Sequence, residues 1–204
     1  MPLNQDTVDA LSKNGTEWKV TMLNAPCESP GGCAYGCCCP WCFTYQQRKE
    51  LLELTGEPYV CCGGICSACS CIPFLSEPQN ENCLIPEVCC CLGMAVSGNR
   101  FMLQTRFLKM NDPCDDCIMC CSACLSCVAC ILKVTGAVDD ETADAISCLA
   151  DCVACSVMSC MLTQQQVEIA NLKELGQKVD YSAIKEFLPP TQQKMLDEAK
   201  PLKS

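Results

Sequence analysis

Closely spaced cysteines are the residues of this chain whose types and spacing could do chemistry. The chain has 26 cysteines in 204 residues, and the segment from Pro113 to Leu132, PCDDCIMCCSACLSCVACIL, contains seven of them at a stride close to three. Thiolates bind iron–sulfur clusters and zinc, paired thiols oxidise to disulfides, and a buried free cysteine packs as a small apolar side chain. Each use requires a different arrangement of the elements that carry the thiols.

An iron–sulfur cluster is one interpretation of this segment. Cys114, Cys117, Cys120 and Cys124 match the bacterial ferredoxin spacing C-x2-C-x2-C-x3-C, but Leu125 follows where that pattern has proline. The segment also starts like a helix and has no internal glycine, whereas a cluster loop must wind around the metal. The sequence therefore disfavours an iron–sulfur protein.

Structural zinc is the stronger metal hypothesis, because four thiolates form a closed tetrahedral site and pairs two residues apart can share one ion. Such pairs are Cys39/Cys42, Cys66/Cys69, Cys117/Cys120, Cys121/Cys124 and Cys152/Cys155. We predict a zinc cofactor on ligands drawn from Cys39, Cys42, Cys117, Cys120, Cys121, Cys124, Cys152 and Cys155. Because 26 thiols exceed the needs of one or two ions, and their neighbours are mostly Ser, Ala and Val, most cysteines are predicted to fill interior space.

Composition argues against several functional classes. The chain has no histidine and no glycine-rich phosphate loop, so neither cysteine–histidine catalysis nor nucleotide chemistry is expected, and we predict that it is not an enzyme. The stretch CCCPWC, from Cys37 to Cys42, lacks the preceding strand of a thioredoxin-type site. Residues 27–162 carry fifteen acidic and six basic side chains, and this excess of negative charge argues against a nucleic-acid partner.

The sequence predicts a mainly α fold, in which a cysteine-rich helical hairpin follows a loop-rich N-terminal half that leaves room for small β elements. Residues 25–36 and 61–83 are dense in Gly, Pro, Ser and Asn and are predicted to be loops. Between them, a helix is predicted from Cys42 to Leu54, ending at Gly56.

Two longer helices are predicted to form the hairpin. Asp112 can cap the first, with Pro113 at its first position. The second begins near Asp139 and runs towards Leu175, where Gly176 can end it. The short connection between them predicts antiparallel packing.

Composition divides the chain into a polar arm (1–26), a cysteine-rich domain (27–170) and a cysteine-free tail (171–204). The arm has no secretory signal, which predicts a reducing, cytoplasmic location with cytoskeletal or membrane association as a further option. In the tail, Tyr181, Ile184, Phe187 and Leu188 are predicted to dock onto a protein partner, with a frayed terminus as the alternative.

A membrane hairpin is the alternative to a buried soluble hairpin. The apolar stretch Cys117–Leu132 would be about 24 Å long as a helix, against a hydrocarbon core of about 30 Å. The stretch Ala145–Leu162 carries Asp151 near its middle, which is costly in lipid. The sequence alone therefore favours a buried hairpin, and it leaves membrane association and oligomerisation open.

Several motifs carry a family resemblance. The first lies in CAYGCCCPWC, where Cys33 and Cys39-Pro40 fit a C-C/L-x4-C-P-C pattern with Ala34 and Trp41 as departures. The second motif is an R-x5-R pair leading into a cysteine run, and it is matched by Arg100, Arg106, Asp116, Cys117, Cys120, Cys121 and Cys124. The third motif is C-x3-Q-x3-E, and it is matched by Cys160, Gln164 and Glu168. Over residues 27–170 the chain resembles the cysteine-rich placenta-specific-eight family, in a form with an extra helical turnaround between about 125 and 150, as in protist or algal members.

The resemblance implies roles in heavy-metal tolerance, in zinc or calcium handling at the plasma membrane, or in regulation through partners. Arg100 and Arg106 are expected to pair with Asp112, Asp115 or Asp116 rather than to bind a ligand. We predict a non-catalytic structural or scaffolding module, stiffened by thiol packing and zinc–thiolate sites, that binds partners of a larger assembly through its termini. The alternative is a membrane-associated protein for transport of, or tolerance to, divalent zinc, cadmium or calcium.

Overall fold

The computed structural model describes residues 9, 12–13, 15–68, 77–176, 179 and 184–199, and eight α-helices account for most of them. The helices are α1 (Ala25–Glu28), α2 (Pro30–Cys38), α3 (Pro40–Thr55), α4 (Leu84–Cys90), α5 (Leu92–Arg106), α6 (Pro113–Thr135), α7 (Asp140–Leu175) and α8 (Pro190–Asp197). Strands β1 (Thr16–Glu17) and β2 (Lys109–Met110) pair in parallel, and 3-10 segments span Cys61–Ala68, Glu81–Cys83 and Lys185–Phe187. The mainly α fold class is confirmed.

Capping residues set the ends of the two long helices, as the sequence predicts. The Asp112 side chain accepts a hydrogen bond from the Cys114 amide at 2.7 Å, and Asp139 accepts one from the Thr142 amide at 2.9 Å. Gly136 and Gly176 end the helices with φ angles of 61° and 58°, a left-handed conformation that glycine adopts without a steric penalty. The predicted boundaries of α6 and α7 are therefore confirmed.

The first predicted loop, residues 25–36, is instead mostly helical. Pro26, Pro30 and Pro40 each lie in the first turn of a helix, where the missing amide hydrogen costs nothing. Ser29 caps α2 by accepting a hydrogen bond from the Gly32 amide at 3.3 Å. The Pro, Gly and Ser residues of this segment thus start helices, and the loop prediction is wrong here. The helix predicted to follow is confirmed as α3.

The apolar core lies among α3, α4, α5 and the C-terminal part of α7. Its buried members are Trp18, Leu51, Leu52, Tyr59, Leu84, Val88, Ala95, Met102, Leu103, Phe107, Ile169 and Leu172. Trp18 belongs to the segment that the sequence assigns to a polar arm. The β1–β2 pairing, with Thr16 opposite Lys109, holds that segment against the body of the protein.

Two arginines of α5 make buried polar contacts beside this core. Arg100 lies 3.8 Å from the Asp115 carboxylate and over the Trp18 ring. Its predicted pairing with one of the three aspartates is therefore confirmed. Burial lowers the pKa of Arg100 to about 10, so the side chain stays charged at neutral pH. Arg106 pairs with Glu57 rather than with any of the three predicted aspartates, so that part of the prediction is wrong.

Candidate functional site: an exposed apolar hairpin

Helices α6 and α7 run side by side in opposite directions. Near the start of α6, the Gln164 amide donates to Asp115 at 2.7 Å; near its end, Lys133 pairs with Asp144 at 2.9 Å. These contacts are 18 residues apart on α6, about 27 Å of helix, so the antiparallel pairing predicted from the sequence is confirmed. We call α6 and residues 140–162 of α7 the hairpin, and the remaining described residues the body.

Small side chains, rather than cysteines, form the contact seam of the hairpin. Ser122 and Ala129 are buried on α6, and Ala143 and Ala150 are buried on α7, each pair one heptad apart. Seven residues make nearly two helical turns, so each pair lies on one face of its helix. The thiols lie on the other faces.

Most of the described cysteine side chains are exposed on the protein surface rather than packed in its interior. Among the described cysteines outside the single disulfide, sixteen are exposed, four are half-buried and one, Cys62, is buried. The prediction that most thiols fill interior space is therefore wrong. Sequence composition identified the small residues needed for close helix packing but not which of them face the partner helix.

The outer surface of the hairpin is apolar, and the body covers it only near Ser159 and Leu162, which contact α2, α3 and α5. By length and composition alone, both helices could cross a membrane, and only 11% and 17% of an apolar stretch of 18 residues in each is buried. Val128, Ile131, Val134 and Leu149 are each at least half exposed. A helix that is apolar on most faces is normally surrounded by protein or lipid, and the described part of this chain does not surround it.

Three hydroxyl groups of the hairpin, those of Ser126, Thr135 and Ser156, bond to the backbone of their own helix. Ser126 donates to the Ser122 carbonyl at 3.1 Å, Ser156 to the Cys152 carbonyl at 2.8 Å, and Thr135 to the Ile131 carbonyl at 2.8 Å. Each donor is satisfied without water. Asp151, exposed near the middle of this surface, is the charged exception.

The structure does not gather the predicted zinc ligands into one site. Cys39 and Cys42 form a disulfide at the start of α3, so they do not offer free thiolates. Cys117, Cys120, Cys121, Cys124, Cys152 and Cys155 are exposed on the hairpin, where the Cys117 and Cys121 sulfurs lie 4.0 Å apart, one turn along α6. The side chains of Cys66 and Cys69 lie outside the described part of the chain.

One group of potential metal ligands does come together in the described residues, and the sequence analysis missed it. Sulfur atoms of Cys61 and Cys62 and a carboxylate oxygen of Glu87 lie within 4.8 Å of one another. The many exposed cysteines and this group of three side chains are therefore the parts of the described chain that could bind a metal ion. The only sequence signal is a pair of adjacent cysteines before Gly63-Gly64, because Glu87 is 25 residues further along the chain.

The tail residues predicted to anchor a partner are largely used by the chain itself. Ile184 and Leu188 are buried in an apolar cluster with Leu196, against which Phe101, Leu108 and Met110 pack. This placement corrects the docking prediction for these two residues. Phe187 is 40% exposed, and Tyr181 lies outside the described residues.

Three motif residues of the family resemblance, Arg100, Gln164 and Glu168, make buried contacts where the hairpin joins the body. Gln164 accepts a hydrogen bond from Arg100 at 2.8 Å and donates to Asp115, and Glu168 pairs with Lys109 at 3.0 Å. Both Gln164 and Glu168 are fully buried. Their contacts are those of a structural network rather than of a metal site.

Comparison with known proteins finds no matching family model, no matching curated protein and no matching solved structure. The likeness to the placenta-specific-eight family therefore rests on the motifs quoted above.

Proposed function

We propose that this chain is a non-catalytic, membrane-associated protein whose hairpin inserts into a lipid bilayer while its body remains at the membrane surface. The observation that carries the proposal is the pair of long apolar helices that the described chain leaves almost uncovered. Exposing this much apolar surface to water is unfavourable by roughly 25 cal/mol for each Å². Lipid removes that cost without requiring a shaped partner.

Charge placement along the hairpin supports lipid as its surroundings. Asp112 and Asp116 lie at the base, whereas Asp140, Glu141 and the Lys133–Asp144 pair lie at the tip. The paired length is about 27 Å when counted from the Asp115–Gln164 contact at the body, slightly less than the roughly 30 Å of a hydrocarbon core. Bonding of the Ser126, Ser156 and Thr135 hydroxyls to backbone carbonyls of their own helices is also what helices in lipid require. Asp151 is the charged residue whose transfer into lipid would be costly, and charged residues within a bilayer usually have a functional role.

Two exposed leucines of α7 give a matched test of insertion. Leu149 lies on the hairpin at 58% exposure and Leu175 lies on the body at 67%. The full chain and its Leu149→Asp and Leu175→Asp variants are reconstituted with phosphatidylcholine vesicles, washed with alkaline carbonate and floated on a density gradient. An aspartate in the hydrocarbon core costs about 3 kcal/mol, roughly a hundredfold in partitioning.

We expect the wild-type protein and Leu175→Asp to float and Leu149→Asp to be released. Release of the wild-type protein by carbonate, or equal retention of both variants, contradicts the proposal. A lipid-free oligomer that Leu149→Asp dissociates into monomers also contradicts it, because a second copy of the chain then covers the hairpin.

Handling of soft divalent metals is a second candidate function, favoured by the sulfur pair on α6. Cys117 and Cys121 are one turn apart with their sulfur atoms 4.0 Å from each other, which suits shared ligation of cadmium or zinc. Cells that express the chain should then tolerate cadmium better than control cells. Loss of this protection in Cys117→Ser/Cys121→Ser, with protection kept in Cys89→Ser/Cys90→Ser on the body, would support the candidate; equal effects would reject it.

A further inference from the structure

The sulfur atoms of Cys61 and Cys62 are spaced as two ligands of one tetrahedral ion. They lie 3.8 Å apart. Two thiolates bound at about 2.3 Å to one tetrahedral zinc ion are themselves about 3.8 Å apart. The distance is therefore compatible with ligation without movement of either side chain.

An unusual backbone turn brings these adjacent side chains together. Cys62, Gly63 and Gly64 have φ angles of 53°, 60° and 75°. A left-handed conformation is free for glycine but unfavourable for cysteine, so Cys62 is held there by its surroundings. One restraint is visible: the Cys62 amide donates to Glu87 at 2.8 Å. The turn and the carboxylate are thus fixed relative to each other.

Glu87 presents one oxygen that no hydrogen bond satisfies. Its Oε2 accepts hydrogen bonds from the Tyr59 hydroxyl at 2.6 Å and from the Cys62 amide. Its Oε1 is buried, accepts no hydrogen bond and lies 3.4 Å from the guanidinium of Arg48. A buried carboxylate oxygen ordinarily has a donor or a metal as its partner. Tyr59 and Arg48 orient the carboxylate in the way that outer residues orient metal ligands.

The charges of this group balance when a divalent cation is added. Arg48 contributes one positive charge, and Glu87 and two thiolates contribute three negative charges, so one divalent ion gives a neutral buried site. Two sulfur ligands and one oxygen suit zinc, whereas calcium and magnesium prefer all-oxygen sites.

We propose that Cys61, Cys62 and Glu87 bind one zinc ion, which links the turn at residues 61–64 to α4. The three side chains leave the fourth coordination position to water or a further ligand. The site lies in the body, so it is independent of membrane insertion by the hairpin.

Alkylation mapped by mass spectrometry tests the site one residue at a time, which is necessary because the chain has many other exposed thiols. The full chain is treated with N-ethylmaleimide in the presence of zinc or of a chelator. We expect zinc to slow labelling of Cys61 at least tenfold. Cys37 and Cys38 are the internal control: they are adjacent and exposed, and neither belongs to a group of three potential ligands in the described residues, so their labelling should change less than twofold.

Two variants separate ligation from folding. Glu87→Gln removes the oxygen ligand and should abolish protection of Cys61, with folding verified by circular dichroism. Cys62→Ser leaves the Glu87–Arg48 pair intact and should abolish protection as well. Equal labelling of wild-type Cys61 with zinc and with chelator overturns the proposal, and so does full protection in either folded variant.

Discussion

Arg106 and Glu57 face each other inside the body through two parallel hydrogen bonds. Arg106 Nε donates to Oε1 at 2.9 Å and Nη2 donates to Oε2 at 2.8 Å, and both side chains are fully buried. Arg106 is the last residue of α5, and Glu57 follows the glycine that ends α3. The pair therefore fixes the ends of two core helices relative to each other.

Removing one member of this pair should be far more damaging than breaking an exposed pair. Glu57→Gln leaves a buried guanidinium without its counter-charge, and we expect a loss of about 3–5 kcal/mol in the free energy of unfolding. Glu50, partly exposed and paired with Lys173 at 2.9 Å, is the control: Glu50→Gln should cost less than about 1 kcal/mol. Urea unfolding of the purified proteins measures both. Similar losses would show that the buried pair has no special role.

Two glycines of α5 give a second matched prediction. A Cβ atom on Gly98 would lie 2.5 Å from an Arg48 nitrogen and 2.7 Å from the Cys62 carbonyl oxygen, whereas a Cβ on Gly93 would meet nothing within 4 Å. Gly98→Ala must therefore displace the backbone of the turn that carries Cys61 and Cys62. Gly93→Ala gains the better helix propensity of alanine at no steric cost.

We expect Gly98→Ala to lower the free energy of unfolding by about 1–3 kcal/mol, as overpacking does, and Gly93→Ala to leave it unchanged or raise it by up to about 1 kcal/mol. Thermal unfolding followed by circular dichroism gives both values. A Gly98→Ala protein as stable as Gly93→Ala would mean that α5 does not pack closely against this turn.

Local signals predicted the helices well because they act over a few residues. Asp112 and Asp139 cap the hairpin helices, and Gly136 and Gly176 end them, so four residues define the longest elements of the fold. The loop prediction for residues 25–36 is wrong because proline breaks the interior of a helix but is favoured in the first turn of one. Only the following residues distinguish these two uses.

Contacts between distant segments were not predictable in the same way. The pairing of Arg106 with Glu57 joins residues 49 positions apart, and the Cys61–Cys62–Glu87 group depends on where α4 packs. The exposure of the thiols depends on which face of each helix meets its neighbour. In a segment with a cysteine at almost every third position, no periodicity distinguishes an inner face from an outer one.

The seam of the hairpin gives the last prediction. Ala150 is buried between the helices, whereas Ala145 on the same helix is exposed, so the same substitution can be compared at both positions. Ala150→Leu should force α6 and α7 apart, lower the free energy of unfolding by about 1–3 kcal/mol and speed amide hydrogen exchange in α6. Ala145→Leu should change it by less than about 0.5 kcal/mol and leave exchange unaltered. Both are measured on detergent-solubilised protein. Equal exchange in the two variants would mean that close approach through small side chains does not hold the hairpin together.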